Sequence, residues 1–488
     1  MNSTRLILTV ILLCQFALGI LYATRTPPWQ APDEPAHFNY VRALVETGAF
    51  PVLQPGDYDQ AYLEKIKAAK FPPDMAVDSI RYEAHQPPLY YLLAAPAYFF
   101  ARALNFDAVL GLRYLNVALG VILSALAFLI FTRVFPTNPL LQLAGVGIIA
   151  TVPMHLAMSA AINNDMLAEI VMAVILLCCL WRAQGKLDAK RFFIFGGIAY
   201  GAALLTKTTI YSSVVLLVGA EYAYRYIQNA KQNSGAARWS ARLFPRPLLI
   251  SSIRTLAPLF GISLAVAGLW FVRNASVYGA NDLLGWARHD LVVAGQPTTA
   301  QFIAQYGLRN VVFDFFAISF KSFWAQFGWM GVLVNDRFYT LLFGLSAAAT
   351  FGALLWVIRL TRERKNFSLK TRWTWILLGA ALALAVAAHV YYNLKYVQPQ
   401  GRYLFPGLAP LAAFWAAGLY EIARARLRGA DLVHRAAIEP LKECNEFFCQ
   451  IIFGRQSVIA ASVKPQRPAR VVFVRAVRQM RRAGRDSH

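Results

Sequence analysis

The chain reads as an all-α, polytopic integral membrane protein of about ten transmembrane helices, and three observations carry that reading. Hydrophobic residues make up 58% of the 488 residues and charged residues only 15%, against about 25% charged in soluble domains. The mean hydropathy is +0.44, and several runs reach the ~20 apolar residues that cross a hydrocarbon core. The third observation is where Lys and Arg fall. A formal net charge of +23 suggests nucleic acid at first sight, but in a membrane protein the position of basic residues outweighs their sum.

Residues 5–23 form the first span, read as a retained anchor because no small-x-small cleavage pattern precedes Thr24. Residues 24–87 are polar and proline-bearing, hence an extramembrane loop. The next stretch, 89–104, is apolar but short and holds Pro96 and Arg102. Laid on the surface as an interfacial helix, it leaves spans near 113–133, 140–158, 166–182, 192–206, 209–227, 254–273, 338–359, 373–392 and 403–422. The basic loops 182–191, 225–254 and 359–373 and the basic tail then share one side, as the positive-inside rule requires. Were 89–104 a span, all of them would move outside. Both termini are therefore expected in the cytoplasm.

The domain organisation follows: a transmembrane domain over 1–422, with a first outer loop at 24–112 and a second at 274–337, then a basic cytoplasmic tail at 423–488. Residues 306–334 are aromatic-rich but broken by Arg309, Asp314 and Lys321, which suits helices at the headgroup level. The tail lacks periodicity and reads as a segment drawn to anionic lipid. No folded nucleic-acid-binding motif accompanies its charge, so no nucleic-acid partner is expected. The five cysteines lie in apolar runs or in the tail without His or Cys at metal spacing, and imply neither disulfide framework nor zinc.

The chemistry centres on Pro32-Asp33-Glu34-Pro35-Ala36-His37-Phe38-Asn39-Tyr40, just beyond the first span. Each proline fixes its own φ and disfavours helix before it, so the acids sit on a stiff turn. A helix cap at Asp33 is the bland explanation; it accounts for one acid but not for the polar residues that the topology brings to the same side. These are His37, His85, Asn163, Asn164, Asp165, Lys207, Arg273, Lys395, Gln400 and Arg402. Ionisable groups at membrane depth are expensive and tend to mark functional cavities. Asp165 opens a span and suits a cap as well as catalysis; Lys207 suits snorkelling as well as phosphate contact. Arg402, in Gln400-Gly401-Arg402-Tyr403-Leu404-Phe405-Pro406, starts a span on the outer side, against the positive-inside preference, and its planar fork suits phosphate.

A carboxylate there can take a proton from an attacking hydroxyl, and cations can neutralise a phosphate leaving group. No Walker loop or dinucleotide fingerprint appears. A group donor working outside the nucleotide compartment is then lipid-borne, which points to a polyprenyl-phosphate sugar.

At these residues the sequence resembles the GT-C glycosyltransferases, which include protein O-mannosyltransferases, aminoarabinose transferases and oligosaccharyltransferases. The resemblance is carried by PDEPAHF in the first outer loop, His85-Gln86-Pro87-Pro88-Leu89-Tyr90-Tyr91, SFWAQFGW from Ser322 to Trp329, and QGRYLFP. Together they look most like a bacterial branch of membrane proteins allied to that superfamily, over about residues 5–422. It implies an inverting transfer on the outer face of the cytoplasmic membrane, from a polyprenyl-phosphate sugar to a cell-envelope acceptor. Asp33 would be the base, with Glu34 and His85 orienting it or the donor. Arg402 and Lys207 would hold phosphate, with His37, Asn164, Asp165, Gln400 and Tyr403 as further substrate-binding candidates. Some family members use a divalent cation, but here the second-loop motif is Asn163-Asn164-Asp165 rather than an acidic pair. No organic cofactor is expected, and a divalent cation stays open. A rival reading is a transporter or scaffold for lipid-linked saccharides with no chemistry.

Overall fold

The computed structural model describes residues 3–232 and 246–424. The tail expected at 423–488 lies outside them apart from its first two residues, as does much of the 225–254 loop. The protein is an all-α polytopic membrane protein. Helix α1 (Ser3–Arg25) leads to α2 (Glu34–Thr47) and α3 (Gln60–Ala68), then to α4 (Leu89–Ala103) and α5 (Ala108–Val134). A bent pair follows, α6 (Pro139–Thr151) and α7 (Pro153–Ser159), turned by 66° where Pro153 cannot continue the helix. Then come α8 (Asp165–Ala183), α9 (Ala189–Leu204), α10 (Val214–Gln232), α11 (Arg246–Thr255) and α12 (Ala257–Tyr278).

Three shorter helices form the segment that follows α12: α13 (Trp286–Val292), α14 (Thr299–Tyr306) and α15 (Leu308–Trp324). A two-residue hairpin, β1 (Gln326–Phe327) with β2 (Val332–Leu333), separates them from α16 (Asp336–Arg362) and α17 (Leu369–Asn393). The last element, α18, covers 408–424 and is entered through a 3₁₀ turn at Gly401–Gly407.

Among the described residues, seven helices are long and apolar enough to cross a membrane: α1, α5, α8, α12, α16, α17 and the 401–424 segment; the bent α6–α7 pair makes eight. The expected spans at 192–206 and 209–227 are helices too, but α9 has 16 residues and α10 carries Glu221, Arg225 and Lys231. They are held by neighbours. Gly197 and Gly201 of α9 let it lie close on α12, where a Cβ at Gly197 would meet the Leu259 carbonyl oxygen at 2.9 Å. Small residues at helix contacts are how spans pack where lipid removes the hydrophobic drive. Gly352 of α16 and Gly418 of α18 make the same close approach.

Helix α8 is the centre of the bundle, with nearly every residue buried, whereas α1 exposes Leu6, Ile7, Val10, Leu13 and Phe16, as a lipid-facing span does. Helix α4 has 15 residues, short of the ~20 needed to span. The Leu89 amide bonds the Leu205 carbonyl at its start, and Ala101 lies against Gly111 at its end. Both ends thus meet the same end of the bundle, and Leu92, Leu93, Phe99 and Phe100 are exposed. The surface placement expected for 89–104 fits this geometry. At the opposite end Arg182 pairs with Glu221, and Arg225 reaches Ser251 and Thr255.

Candidate active site

Four segments far apart in sequence meet at one end of the bundle: the turn before α2, the start of α8, the turn after α9, and the 3₁₀ turn before α18. Asp33 occupies the N-cap position of α2, at φ +66° and without a side-chain capping bond. Aspartate tolerates this left-handed backbone better than most residues. The carboxylate, released from capping, accepts from the Tyr82 hydroxyl at 2.7 Å and forms an ion pair with Arg402. The Arg402 side chain is 4% exposed. It donates through Nε to Gln400 at 2.7 Å and places Nη1 3.8 Å from the Asp165 carboxylate.

Asp165 in turn pairs with Lys207, whose Nζ also donates to Asn164 Oδ1 at 2.9 Å. Like Asp33, Asp165 does not cap its helix: the Asn163 side chain accepts from its amide instead. The result is an alternating chain, Asp33–Arg402–Asp165–Lys207, of two acids and two cations. Burial works against ionising Asp33, but the Arg402 charge and hydrogen bond, with His37 and Tyr82, outweigh it and hold the carboxyl below the usual range.

Arg402 is placed by a close backbone approach. A Cβ on Gly401 would overlap the Ser319 carbonyl and the Phe323 amide of α15, so only glycine fits there. The Gly401 amide donates to Ser322 Oγ at 2.7 Å. This ties SFWAQFGW to QGRYLFP, two motifs some 80 residues apart. Tyr403, next in the turn, lies beside Tyr392 and under the Arg402 guanidinium.

Glu34 points elsewhere. It is fully buried, and its carboxylate accepts from Arg113 at 2.8 and 2.6 Å, from the Trp29 amide at 2.9 Å and from the Ile162 amide at 3.2 Å. Arg113 also donates to the carbonyls of Ala23, Thr26 and Pro27. The pair staples the exit of α1 to α5 and to the turn before α8. The two neighbouring acids therefore have separate environments.

His37 is buried and hydrogen-bonded through Nδ1 to the Tyr91 hydroxyl at 2.8 Å. Burial lowers its pKa, opposed by the charges of Glu83 and Asp33. His85 does not touch the Asp33 carboxylate in the contacts seen: Nδ1 meets the Tyr82 carbonyl at 3.1 Å, and its ring lies 4.8 Å from that of His289. Burial pulls both imidazoles down to about 4.

Several residues in or under the site escaped the sequence reading. Tyr82 and Gln86 lie in the same segment as His85, and Gln86 reaches Asn164 at 3.4 Å. Arg113 is hidden within an apolar run, where only its charge could have signalled it. One turn below Asp165, Glu169 meets His155 at 3.1 Å inside the bundle.

No group of three or more His, Cys, Asp or Glu that could hold a metal occurs among the described residues. Asp33 and Asp165 each already face a cation, so these residues do not fit a divalent ion.

Fold and site define a polytopic membrane protein with a buried, charge-balanced cluster at one end of its helices. No protein-family model matches the chain, and no curated protein matches it. Among solved structures it is similar to the crystal structure of ArnT from Cupriavidus metallidurans bound to undecaprenyl phosphate. The identity is 13%, over 88% of this chain and 79% of that one, with a TM-score of 0.39.

Proposed function

We propose that this protein is a GT-C-type membrane glycosyltransferase. It moves a sugar from a polyprenyl-phosphate donor to a cell-envelope acceptor (lipid, glycan or protein) on the outer face of the cytoplasmic membrane. The observation that carries the reading is the sharing of Arg402 between Asp33 and Asp165, with Lys207 on the latter. Without substrate, each cation is occupied by an acid. A donor phosphate entering between Arg402 and Lys207 competes for both. Asp33 then loses the charge that keeps it weakly basic, and its proton affinity rises as its task requires.

In the transfer step the acceptor hydroxyl oxygen bonds the anomeric carbon while the bond from that carbon to the phosphate oxygen breaks. The hydroxyl proton passes to Asp33. The electron pair leaves on polyprenyl phosphate, where Arg402 and Lys207 meet the growing charge. Tyr82 and Gln400 fix the resting positions of the Asp33 and Arg402 side chains. The family resemblance, and no residue of the site, implies attack opposite the leaving group, which inverts the anomeric configuration. Glu34 acts through Arg113 on the shape of the turn, and His85 through the Tyr82 backbone; neither is routed into a proton transfer. Motif resemblance, rather than geometry, supports the choice of a polyprenyl donor.

The test is purified protein in liposomes with labelled polyprenyl-phosphate sugars and a cell-envelope extract as acceptor. Release of free polyprenyl phosphate with label in the acceptor fraction is expected. Movement of intact donor across the bilayer, with no release, would favour a transporter of lipid-linked saccharides instead.

A further inference from the structure

The turn that presents Arg402 reads Gln398-Pro399-Gln400-Gly401-Arg402, and two helices hold it. The Gln400 amide donates to the Gln398 carbonyl at 2.7 Å, a γ-turn centred on Pro399, whose ring already fixes the φ that such a turn needs. At the end of α17, Asn393 grips the Gln398 backbone on both sides. Its Oδ1 accepts from the Gln398 amide at 3.0 Å, and its Nδ2 donates to the Gln398 carbonyl at 3.0 Å. From α15, Ser319 Oγ donates to the Pro399 carbonyl at 3.3 Å. A hydroxyl has one proton, so His389 Nε2, 2.9 Å from Ser319 Oγ, is the donor between the two. With its ring stacked on Phe315, His389 is a strut for the turn, and Ser319 is no activated nucleophile.

The side chains of the turn follow a strict order of donors and acceptors. A guanidinium only donates. Arg402 Nε gives its proton to Gln400 Oε1 at 2.7 Å, so the Gln400 amide turns its oxygen to the arginine and its NH₂ away. That NH₂ donates to Gln398 Oε1 at 2.7 Å. An amide can flip, and its network decides which way it points. Gln398 is the group that decides it here. Without an acceptor at 398, Gln400 is free to rotate and show Arg402 a donor. With Nε committed, the Nη edge is left for Asp33 and Asp165, and such an edge suits the oxygens of a phosphate.

We propose that Gln398 and Asn393 are positioning residues that aim the Nη edge of Arg402 at the donor phosphate. Gln398 acts through the Gln400 amide, and Asn393 acts through the backbone of Gln398. The inference rests on the transferase reading and deepens it, because it names what sets the direction of its phosphate-binding arginine.

The experiment uses the full chain purified in detergent, with two measurements: affinity for polyprenyl phosphate without sugar, and steady-state transfer from a polyprenyl-phosphate sugar. Gln398→Met removes the acceptor. It should weaken polyprenyl phosphate binding about tenfold and raise KM for the donor by a like factor, with kcat and the melting temperature little changed. Gln398→Glu keeps an acceptor oxygen and should hold most of the wild-type affinity. Gln400→Met should match Gln398→Met, and the double variant should be no weaker than either, since both act on one guanidinium. Asn393→Leu should weaken binding too, and should add nothing to that loss in the Gln398→Met background even where it lowers the melting temperature. Losses that add in the double variant, or a Gln398→Met loss that tracks the melting temperature and that Gln398→Glu does not restore, overturn the proposal. Transfer with unchanged KM in Gln398→Met sinks the positioning role alone. Polyprenyl phosphate binding that depends on Gln398, in a protein that transfers nothing, sinks the transferase reading alone. A wild-type protein that neither binds polyprenyl phosphate nor transfers overturns both.

Discussion

The guanidinium of Arg402 binds the carboxylate of Asp33 across 369 residues of chain, and the same guanidinium stands 3.8 Å from Asp165. Two acids thus share one buried cation, and a phosphate that competes for it changes both.

Asp33→Asn keeps the shape of the turn and removes the proton acceptor. Transfer from a polyprenyl-phosphate sugar should fall by about 10²–10⁴, with the protein still folded and inserted and the donor still bound. A capping role predicts near-silence, because Asn caps about as well as Asp. A fully active Asp33→Asn enzyme would remove the base from this turn.

Arg402→Lys keeps the charge but loses the fork that spans Asp33, Gln400 and Asp165. Activity on the lipid donor should drop at least tenfold while the thermal stability of the purified protein changes little. Wild-type turnover in this variant would take Arg402 out of the phosphate site.

Glu34→Gln should behave differently from its neighbour. It leaves Arg113 buried without its counter-charge, and breaking such a pair costs about 3–5 kcal/mol. Low yield and a lowered melting temperature are expected before any change in chemistry. The double variant Glu34→Gln/Arg113→Met should recover stability relative to Glu34→Gln. A stable, inactive Glu34→Gln protein would instead place Glu34 in the reaction.

The His85–His289 pair sets an acid limit. Burial holds both imidazoles near 4 in the folded protein, against about 6.5 in an unfolded chain. Between those values the unfolded state binds more protons, so stability rises with pH there. It should be complete above about pH 6.5 and decline as pH falls toward 4. Melting temperatures across that window, compared with the His85→Gln/His289→Gln variant, check this: the variant's curve should be flatter.

Sidedness is open to labelling. The acids and cations of the site share one end of the bundle, and the Arg182–Glu221 pair marks the other. With native cysteines replaced, Ala61→Cys should react with an impermeant maleimide from outside and Lys186→Cys only after permeabilisation. Labelling of both from outside would sink the assignment.

Composition and run length determined much of this protein: membrane class, helix content and most span positions. These properties are local or additive along the chain, so a sequence carries them openly. The motifs also singled out Asp33, Asp165, Lys207 and Arg402, because charge beside a hydrophobic run is conspicuous. What the sequence left open was the division of labour. Whether Asp33 and Asp165 cap their helices, and which way Glu34 turns beside Asp33, depend on partners brought from elsewhere: Arg402, Lys207 and Arg113. Arg113 sat unnoticed in an apolar run, and the role of Gly401 rests on a contact with α15 that no spacing encodes. Short-range periodicity fixes helices, but a buried charge takes its role from whichever opposite charge the tertiary fold sets beside it, and that choice was made by the packing alone.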